Sequence, residues 1–133
     1  MNSENPQNYV EMVARNAKKP DLILAEITES KFDLAHAAWG IAGEAGELLD
    51  AIKKHVIYNR PLDINNVFEE LGDIEFYLEQ MRQRLCVTRE HILTCNMDKL
   101  RKRYPEGFTN EAANVRADKR EDGSTDYVKE LGV

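Results

Sequence analysis

The chain carries four carboxylates in two pairs, and each pair has a spacing that places both members on one face of a helix. The pairs are Glu44 with Glu47, in G-E-A-G-E, and Glu70 with Asp73, in E-E-L-G-D. On a helix, Cβ atoms at this spacing lie about 5–6 Å apart. Both pairs flank apolar positions, so four acids are expected at the edge of a core, where they would repel one another and lose hydration. A divalent cation removes that cost, and all-oxygen ligation selects Mg²⁺, with Mn²⁺ as a substitute.

One such pair is weak evidence for a metal site, because acidic residues on solvated helix faces are common. Two pairs on consecutive helices are stronger evidence, since each pair also encloses a small spacer that contains Gly46 or Gly72. Glu69 adds a fifth carboxylate next to Glu70. The pattern therefore favours a metal centre between two helices.

A third group of side chains suits the oxygens of phosphate. Asn96, Lys99 and Arg103 follow one another at spacings of three and four, which is one helical face. An amide, an ammonium and a guanidinium in a row are donors that phosphate accepts well. The alternative is a set of solvated charges that the helix dipole favours near a C-terminus.

Helical periodicity predicts the elements that must position these groups. A short amphipathic helix ends before Pro20, a long one covers 22–54, and two more cover about 64–84 and 88–103. Thr28 or Ser30 is expected to break or cap the long helix, and Asp63 to cap the next one. The apolar residues of the last helix are expected to be buried, namely Ile92, Leu93, Met97 and Leu100.

No segment shows the alternation of polar and apolar residues that is typical of strands. The predicted fold is therefore all-α, an antiparallel helical bundle of four to five helices that oligomerises through helix faces. Gly40, Gly43 and Gly46 are unusual inside a helix. Their spacing of three predicts a smooth strip that a neighbouring helix or a ligand approaches closely.

Length and charge narrow the class of protein. With 133 residues we expect a single domain over 1–117 and a polar tail over 118–133, which is either disordered or wrapped around a partner subunit. The net charge of −6 argues against a nucleic-acid binder. No apolar run approaches the roughly 20 residues of a membrane span, and no signal peptide is indicated, so we expect a cytoplasmic protein. Cys86 and Cys95 are expected to be reduced thiols near a helix core.

Taken together, the motifs resemble a known family. E-A-G-E, then 22 residues, then E-L-G-D, and downstream N-x-x-K-x-x-x-R-Y-P are similar to the MazG-like family of all-α nucleoside triphosphate pyrophosphohydrolases, over about residues 32–116. The resemblance implies cleavage between the α- and β-phosphates, which yields a nucleoside monophosphate and pyrophosphate. It also implies a Mg²⁺ cofactor and assembly as a homodimer or as a homotetramer that is a dimer of dimers.

The resemblance assigns roles to individual residues. It implies that four acids ligate the metal, namely Glu44, Glu47, Glu70 and Asp73. Lys99 and Arg103 would hold the phosphates and Asn96 would assist. Lys53, about two turns after the first acidic pair, is a further candidate for the phosphates.

Two further roles stay open at the level of sequence. Glu47 or Glu69 would take the proton of the attacking water, and the sequence does not choose between them. Trp39 and Tyr77 lie one turn from the acidic pairs and are candidates to stack on a base, with His36 as another ligand contact. For each of these three the alternative is an ordinary place in a helix interface or a structural histidine.

Three rival interpretations remain. One is a non-catalytic helical module that mediates oligomeric interactions, although such a module has no reason to keep all four acids. A carboxylate-bridged di-iron bundle is disfavoured, because neither pair has the Glu-x-x-His pattern of that chemistry. The last is a hydrolase of the same fold that acts on another nucleotide, such as phosphoribosyl-ATP.

Overall fold

The computed structural model describes residues 6–119, which form six α-helices. No strand occurs in this range, and the predicted all-α class is confirmed. The short α6 is additional to the helices that periodicity predicted. The bounds are α1 Pro6–Asn16, α2 Pro20–Glu26, α3 Glu29–Val56, α4 Ile64–Arg84, α5 Arg89–Arg103 and α6 Asn110–Val115.

The predicted helix over 22–54 is divided in two. Thr28 adopts an extended backbone, with φ −113° and ψ 165°, and its hydroxyl accepts a hydrogen bond from the Lys31 amide at 3.3 Å. Such an N-cap stabilises a helix start by about 1 kcal/mol. Of the two candidates, Thr28 is therefore the residue that separates α2 from α3, while Ser30 lies inside α3.

The later helices begin in the same way. Asp63 caps α4 as predicted, accepting from the Asn66 amide at 3.1 Å. Thr88 and Thr109 cap α5 and α6 with bonds of 3.1 Å and 3.0 Å. Because each cap is a local hydrogen bond, these boundaries follow directly from sequence.

Helices α3 and α4 pack against each other as an antiparallel pair. Arg84 near the end of α4 bonds Asp33 near the start of α3 at 3.0 Å, and further along the pair Tyr77 covers Gly40. Residue numbers thus rise along one helix as they fall along the other. The connection over 57–63 contains Asn59 in the left-handed region, with φ 50°. This hairpin is the most extensive packing among the described helices, followed by α5 against α6.

The core of a single chain is thin. Its buried apolar residues among those described are Ala37, Ala51 and Cys95, and none is large. Trp39 is 61% exposed and Leu49 is 67% exposed. Exposed apolar surface on this scale is typical of a chain whose helix faces meet other protein.

Two predictions about burial need correction. Four residues of α5 that were expected to be buried are 39–46% exposed, namely Ile92, Leu93, Met97 and Leu100. The reason is that α5 packs mainly on the six-residue α6, which is too short to cover that face. Cys86 was expected near a core but is exposed, whereas Cys95 is buried as expected.

Within residues 6–119, no helix combines the length and the apolar character that crossing a membrane requires. Asp118 and Lys119, the first two residues of the predicted tail, are described, and Asp118 forms an ion pair with Arg103. The rest of the predicted tail, residues 120–133, lies outside the described residues, so the prediction that it is disordered or wrapped around a partner subunit stays a prediction.

Replacing Gly40 or Gly43 by alanine should change the stability of the protein in opposite directions. A Cβ at Gly40 would overlap the Tyr77 ring, whereas one at Gly43 would meet nothing within 4 Å. We expect Gly40→Ala to lower the free energy of unfolding, and Gly43→Ala to raise it by about 0.5–1 kcal/mol, since alanine is the better helix former. Thermal and urea unfolding of the two variants measure this. Equal stability of the two variants would contradict the close contact between α3 and α4 at Gly40.

Candidate active site

The contact line between α3 and α4 places acids where a helix pair normally buries apolar residues. The residues of α3 on this line are separated by alternating steps of three and four: Ala37, Gly40, Glu44, Glu47 and Ala51. Small residues flank the acids on both sides, and small side chains permit a short distance between helix axes. The acids of α3 are therefore held close to α4.

Three of the four predicted metal ligands meet across this line. Glu44, Glu47 and Glu70 each offer one carboxylate oxygen, and these oxygens all lie within 4.8 Å of one another. Glu70 is only 4% exposed, Glu44 is half-buried, and Glu47 is exposed. The arrangement therefore has a buried side on α4 and an open side toward solvent at Glu47.

Asp73 and Glu69 stand apart from this group of three. The Asp73 carboxylate is not within the 4.8 Å set, although its charge acts on Glu44. Glu69 is exposed on α4 and is also outside the set. The spacing of three between Glu70 and Asp73 is thus not sufficient to bring a carboxylate oxygen of each residue into the group with Glu44 and Glu47.

Electrostatic repulsion marks this group as a place for a cation. Burial raises the pKa of the Glu44 carboxyl above its ordinary value, and the negative charges of Glu47, Asp73 and Glu70 raise it further. The cost of charging Glu44 would fall if a cation were bound. Oxygen donors alone, some buried and some exposed, fit Mg²⁺ or Mn²⁺, which keep several water ligands.

Asn66 supports the buried member of the group. Its side-chain amide donates a hydrogen bond of 2.8 Å to Oε1 of Glu70. A hydrogen bond to one oxygen of a carboxylate fixes the orientation of the other oxygen, which is how metal-binding carboxylates are commonly held. Sequence reasoning missed Asn66, although it lies four residues before Glu70, the spacing at which helix side chains meet.

The predicted phosphate-binding residues of α5 are not packed into this hairpin. Asn96 and Lys99 line an apolar cavity of about 480 Å³ together with residues from the end of α4 onward, and no residue of α3 lines it. In the same cavity His91 Nε2 lies 3.4 Å from Cys95 Sγ. Within the described chain, then, the cationic face and the acid group belong to different helix pairs.

Arg103 has a partner that sequence reasoning did not assign. Its Nε and Nη2 donate to the two carboxylate oxygens of Asp118 at 2.6 Å and 2.7 Å. The only sequence signal for this contact is the acid itself, 15 residues downstream, which no local spacing rule selects. Lys53 lies at the end of α3, with Nζ 5.8 Å from the centre of the Tyr58 ring.

The three predicted base-binding residues belong to one aromatic cluster on the α3–α4 hairpin. The His36 and Tyr77 rings have centroids 6.0 Å apart, and Phe32 lies 6.4 Å from His36 and 6.0 Å from Trp39. Phe76 contacts Tyr77 at 5.2 Å. Phe32 and Phe76 were missed, although Phe32 precedes His36 and Trp39 by four and seven residues, a helical spacing.

Comparison with known families identifies the family of this chain. The family model described as the MazG nucleotide pyrophosphohydrolase domain matches residues 32–108, which cover most of α3 and all of α4 and α5 and include both acidic pairs. No curated protein and no solved structure gives a significant match to the chain. The matched segment exceeds half of the chain, and the chain therefore belongs to the MazG nucleotide pyrophosphohydrolase family.

Proposed function

We propose that this protein hydrolyses nucleoside and deoxynucleoside triphosphates between the α- and β-phosphates, with Mg²⁺, to give a nucleoside monophosphate and pyrophosphate. Family membership supports nucleotide pyrophosphohydrolase activity in general. The observation that carries the proposal is the meeting of Glu44, Glu47 and Glu70 within 4.8 Å. The biological role we propose is house-cleaning of the nucleotide pool in the cytoplasm.

The acid group supplies the metal ligands in this proposal. Glu44, Glu47 and Glu70 hold Mg²⁺, and Asp73 completes the set from one turn further along α4. When bound, the cation neutralises phosphate charge and lowers the pKa of a ligated water. Asn66 keeps Glu70 in its ligating orientation through the 2.8 Å hydrogen bond.

We assign the role of general base to Glu47 rather than Glu69. Glu47 belongs to the acid group and is open to solvent, whereas Glu69 lies outside the group. Glu47 takes the proton of the attacking water while the water oxygen bonds to the α-phosphorus. The bond to the bridging oxygen breaks, and its electron pair leaves with pyrophosphate.

Lys99 and Arg103 stabilise the charge that develops on the leaving pyrophosphate, with Asn96 as a further donor and Lys53 as a third cation. These residues lie on α5 and at the end of α3. Because α5 does not pack extensively on the acid-bearing hairpin of its own chain, we propose that a second copy brings its α5 to the site.

The proposed assembly is a homodimer or a homotetramer that is a dimer of dimers. Large apolar side chains are exposed on every long helix, among them Leu49 at 67% and Phe68 and Phe76 at 66%. Burying such residues contributes about 1.5–3 kcal/mol each. A single chain leaves that contribution unused, and a second copy of the same surface can supply the missing contacts.

The aromatic cluster is the proposed seat of the nucleobase. Trp39 is exposed at 61% and packs edge-on against Phe32, so that much of its ring can stack on a base, and the neighbouring pair of His36 and Tyr77 belongs to the same cluster. Stacking on an aromatic ring is worth roughly 1–3 kcal/mol per base. This cluster lies about one helical turn from the acids, on the same hairpin.

Replacing a metal-ligating acid should abolish turnover without unfolding the protein. We expect Glu44→Gln and Asp73→Asn to retain less than about a tenth of the wild-type kcat, because each removes a ligand charge. Glu75→Gln, an exposed position on α4, is the matched control and should remain active. The measurement is pyrophosphate release from a panel of standard and modified NTPs and dNTPs and phosphoribosyl-ATP, with Mg²⁺, with Mn²⁺ and with EDTA.

The panel also separates the alternatives. Turnover of phosphoribosyl-ATP alone would replace the proposed substrates by that nucleotide. No turnover of any nucleotide by folded, metal-loaded protein would favour a non-catalytic interaction module. Activity that persists in EDTA, or a fully active Glu44→Gln variant, would contradict the metal site.

Asn66 should contribute to metal affinity through Glu70. We expect Asn66→Ala to weaken Mn²⁺ binding by about tenfold, the lower end of the usual effect of removing a residue that hydrogen-bonds a metal ligand. The neighbouring Asn65→Ala is the control, because Asn65 is exposed. Electron paramagnetic resonance of free Mn²⁺ during titration gives both dissociation constants. Equal affinities in the two variants would show that the Asn66 contact does not orient a ligand.

Co-expression of two inactive variants tests whether α5 of one copy serves the acids of another. When chains with Glu44→Gln are co-expressed with chains with Lys99→Ala, we expect about a quarter of wild-type activity. About half of the dimers then contain one chain of each kind, and in each mixed dimer one of the two sites is intact. Glu44→Gln with Asp73→Asn should stay inactive, since both changes lie on the same hairpin. Light scattering measures the assembly. A monomeric mass, or no restored activity, would contradict the shared site.

A further inference from the structure

The ion pair between Arg103 and Asp118 differs from the other ion pairs of the described chain in its burial. The Asp118 side chain is 0% exposed and that of Arg103 is 16% exposed. The carboxylates in the ion pairs that do not involve Asp118 are 31–64% exposed. Arg103 is thus held by a contact that solvent does not reach, and both guanidinium bonds are short.

The backbone after α6 is bent in a way that delivers Asp118 to Arg103. Arg116 ends α6 in the left-handed region, with φ 55°, which is uncommon for a residue other than glycine. Its amide bonds the Ala112 carbonyl at 3.2 Å, and the Lys119 amide bonds the Arg116 carbonyl at 2.9 Å. An unfavourable backbone conformation persists only where the surroundings support it. The Arg103 pairing is one such support.

Charge also favours the ionised pair. The two hydrogen bonds from Arg103 hold the pKa of Asp118 well below its ordinary value, and Arg116, with Nε 3.6 Å from Oδ1, acts in the same direction. Asp118 in turn raises the pKa of Arg103. Both side chains are therefore charged at neutral pH.

The pairing leaves part of the guanidinium available. Arginine has five N–H donors, and Asp118 takes one on Nε and one on Nη2. The Tyr104 side chain also interacts with the guanidinium, and the N–H groups that neither partner takes remain for another acceptor. If a phosphate displaced Asp118 instead, a carboxylate with no solvent exposure would lose both of its hydrogen bonds from Arg103 and keep only the longer contact with Arg116, which is costly. Joint engagement of Arg103 by Asp118 and a phosphate is thus favoured over exchange.

We propose that Asp118 is a positioning residue, which fixes one edge of the Arg103 guanidinium so that its remaining N–H groups hold a phosphate of the nucleotide. The inference rests on the proposed function, in which Arg103 binds the phosphates. It extends the site to a segment beyond residue 108, where the family match ends.

The test uses full-length protein and the best nucleotide of the panel. Asp118→Asn keeps the shape of the side chain but loses the charge and one acceptor, and it should lower kcat/KM by about tenfold or more. Asp98→Asn is the matched control, because Asp98 pairs with Arg101 on the same helix at the surface. Asp98→Asn should stay within about twofold of wild type.

A positioning role and a merely structural one differ in which product is affected. Asp118→Asn should weaken inhibition by pyrophosphate and leave inhibition by the nucleoside monophosphate unchanged, since Arg103 is assigned to the leaving phosphates. In an Arg103→Lys background, Asp118→Asn should lower kcat/KM little further, because lysine has no planar guanidinium group for Asp118 to orient. If inhibition by pyrophosphate and inhibition by the nucleoside monophosphate were weakened equally, and the Tm were lowered, Asp118 would have a structural role and the inference would be overturned.

Two further results would also overturn it. A kcat/KM of Asp118→Asn within about twofold of wild type would show that Arg103 needs no positioning. A lower KM in that variant would show that Asp118 competes with the phosphates. The Arg103 Nε–H resonance, slow to exchange in the wild type and lost in Asp118→Asn, reports the pairing without any turnover. Absence of all turnover in the wild type, with this resonance present, would instead identify the proposed function as the part that fails.

Discussion

Mutual repulsion of carboxylates between α3 and α4 is the constraint on which the rest of this structure depends. Glu44, Glu47 and Glu70 occupy the line along which the two helices meet, and their oxygens lie within 4.8 Å of one another. Apolar residues in these places would have strengthened the hairpin. The pair is instead held at its ends, by Ala37 and Ala51 and by the ion pair from Asp33 to Arg84. A group of carboxylates thus takes the place of a core along part of this contact, and stability must come from elsewhere.

That substitution explains the exposed apolar surface of the single chain. Acids occupy the middle of the α3–α4 contact, and several large apolar side chains of both helices remain exposed, as Leu49 and Phe68 do. The apolar side chains of α5 are also exposed, because among the described helices α5 packs mainly on the short α6. A group of acids within a two-helix hairpin and a surface suited to association are therefore two consequences of one arrangement.

Much of the fold and part of the site could be predicted from local sequence. Thr28 and Asp63 cap helices because a cap involves only residues three positions apart. The convergence of Glu44 and Glu47 follows from helical spacing in the same way. The exposure of the apolar face of α5 could not be predicted. An apolar residue such as Ile92 shows that the face needs a partner, but it does not show whether the same chain provides that partner.

The sequence by itself determined the helices, their caps and the two acidic pairs, since each depends on interactions between residues a few positions apart. Only the tertiary structure decided which acids meet, with Glu70 buried in the group and Asp73 outside it. It also decided that Arg103 is held by Asp118, 15 residues away. Such contacts depend on how helices are placed relative to one another, and that placement reflects packing over the whole chain, which no local pattern encodes.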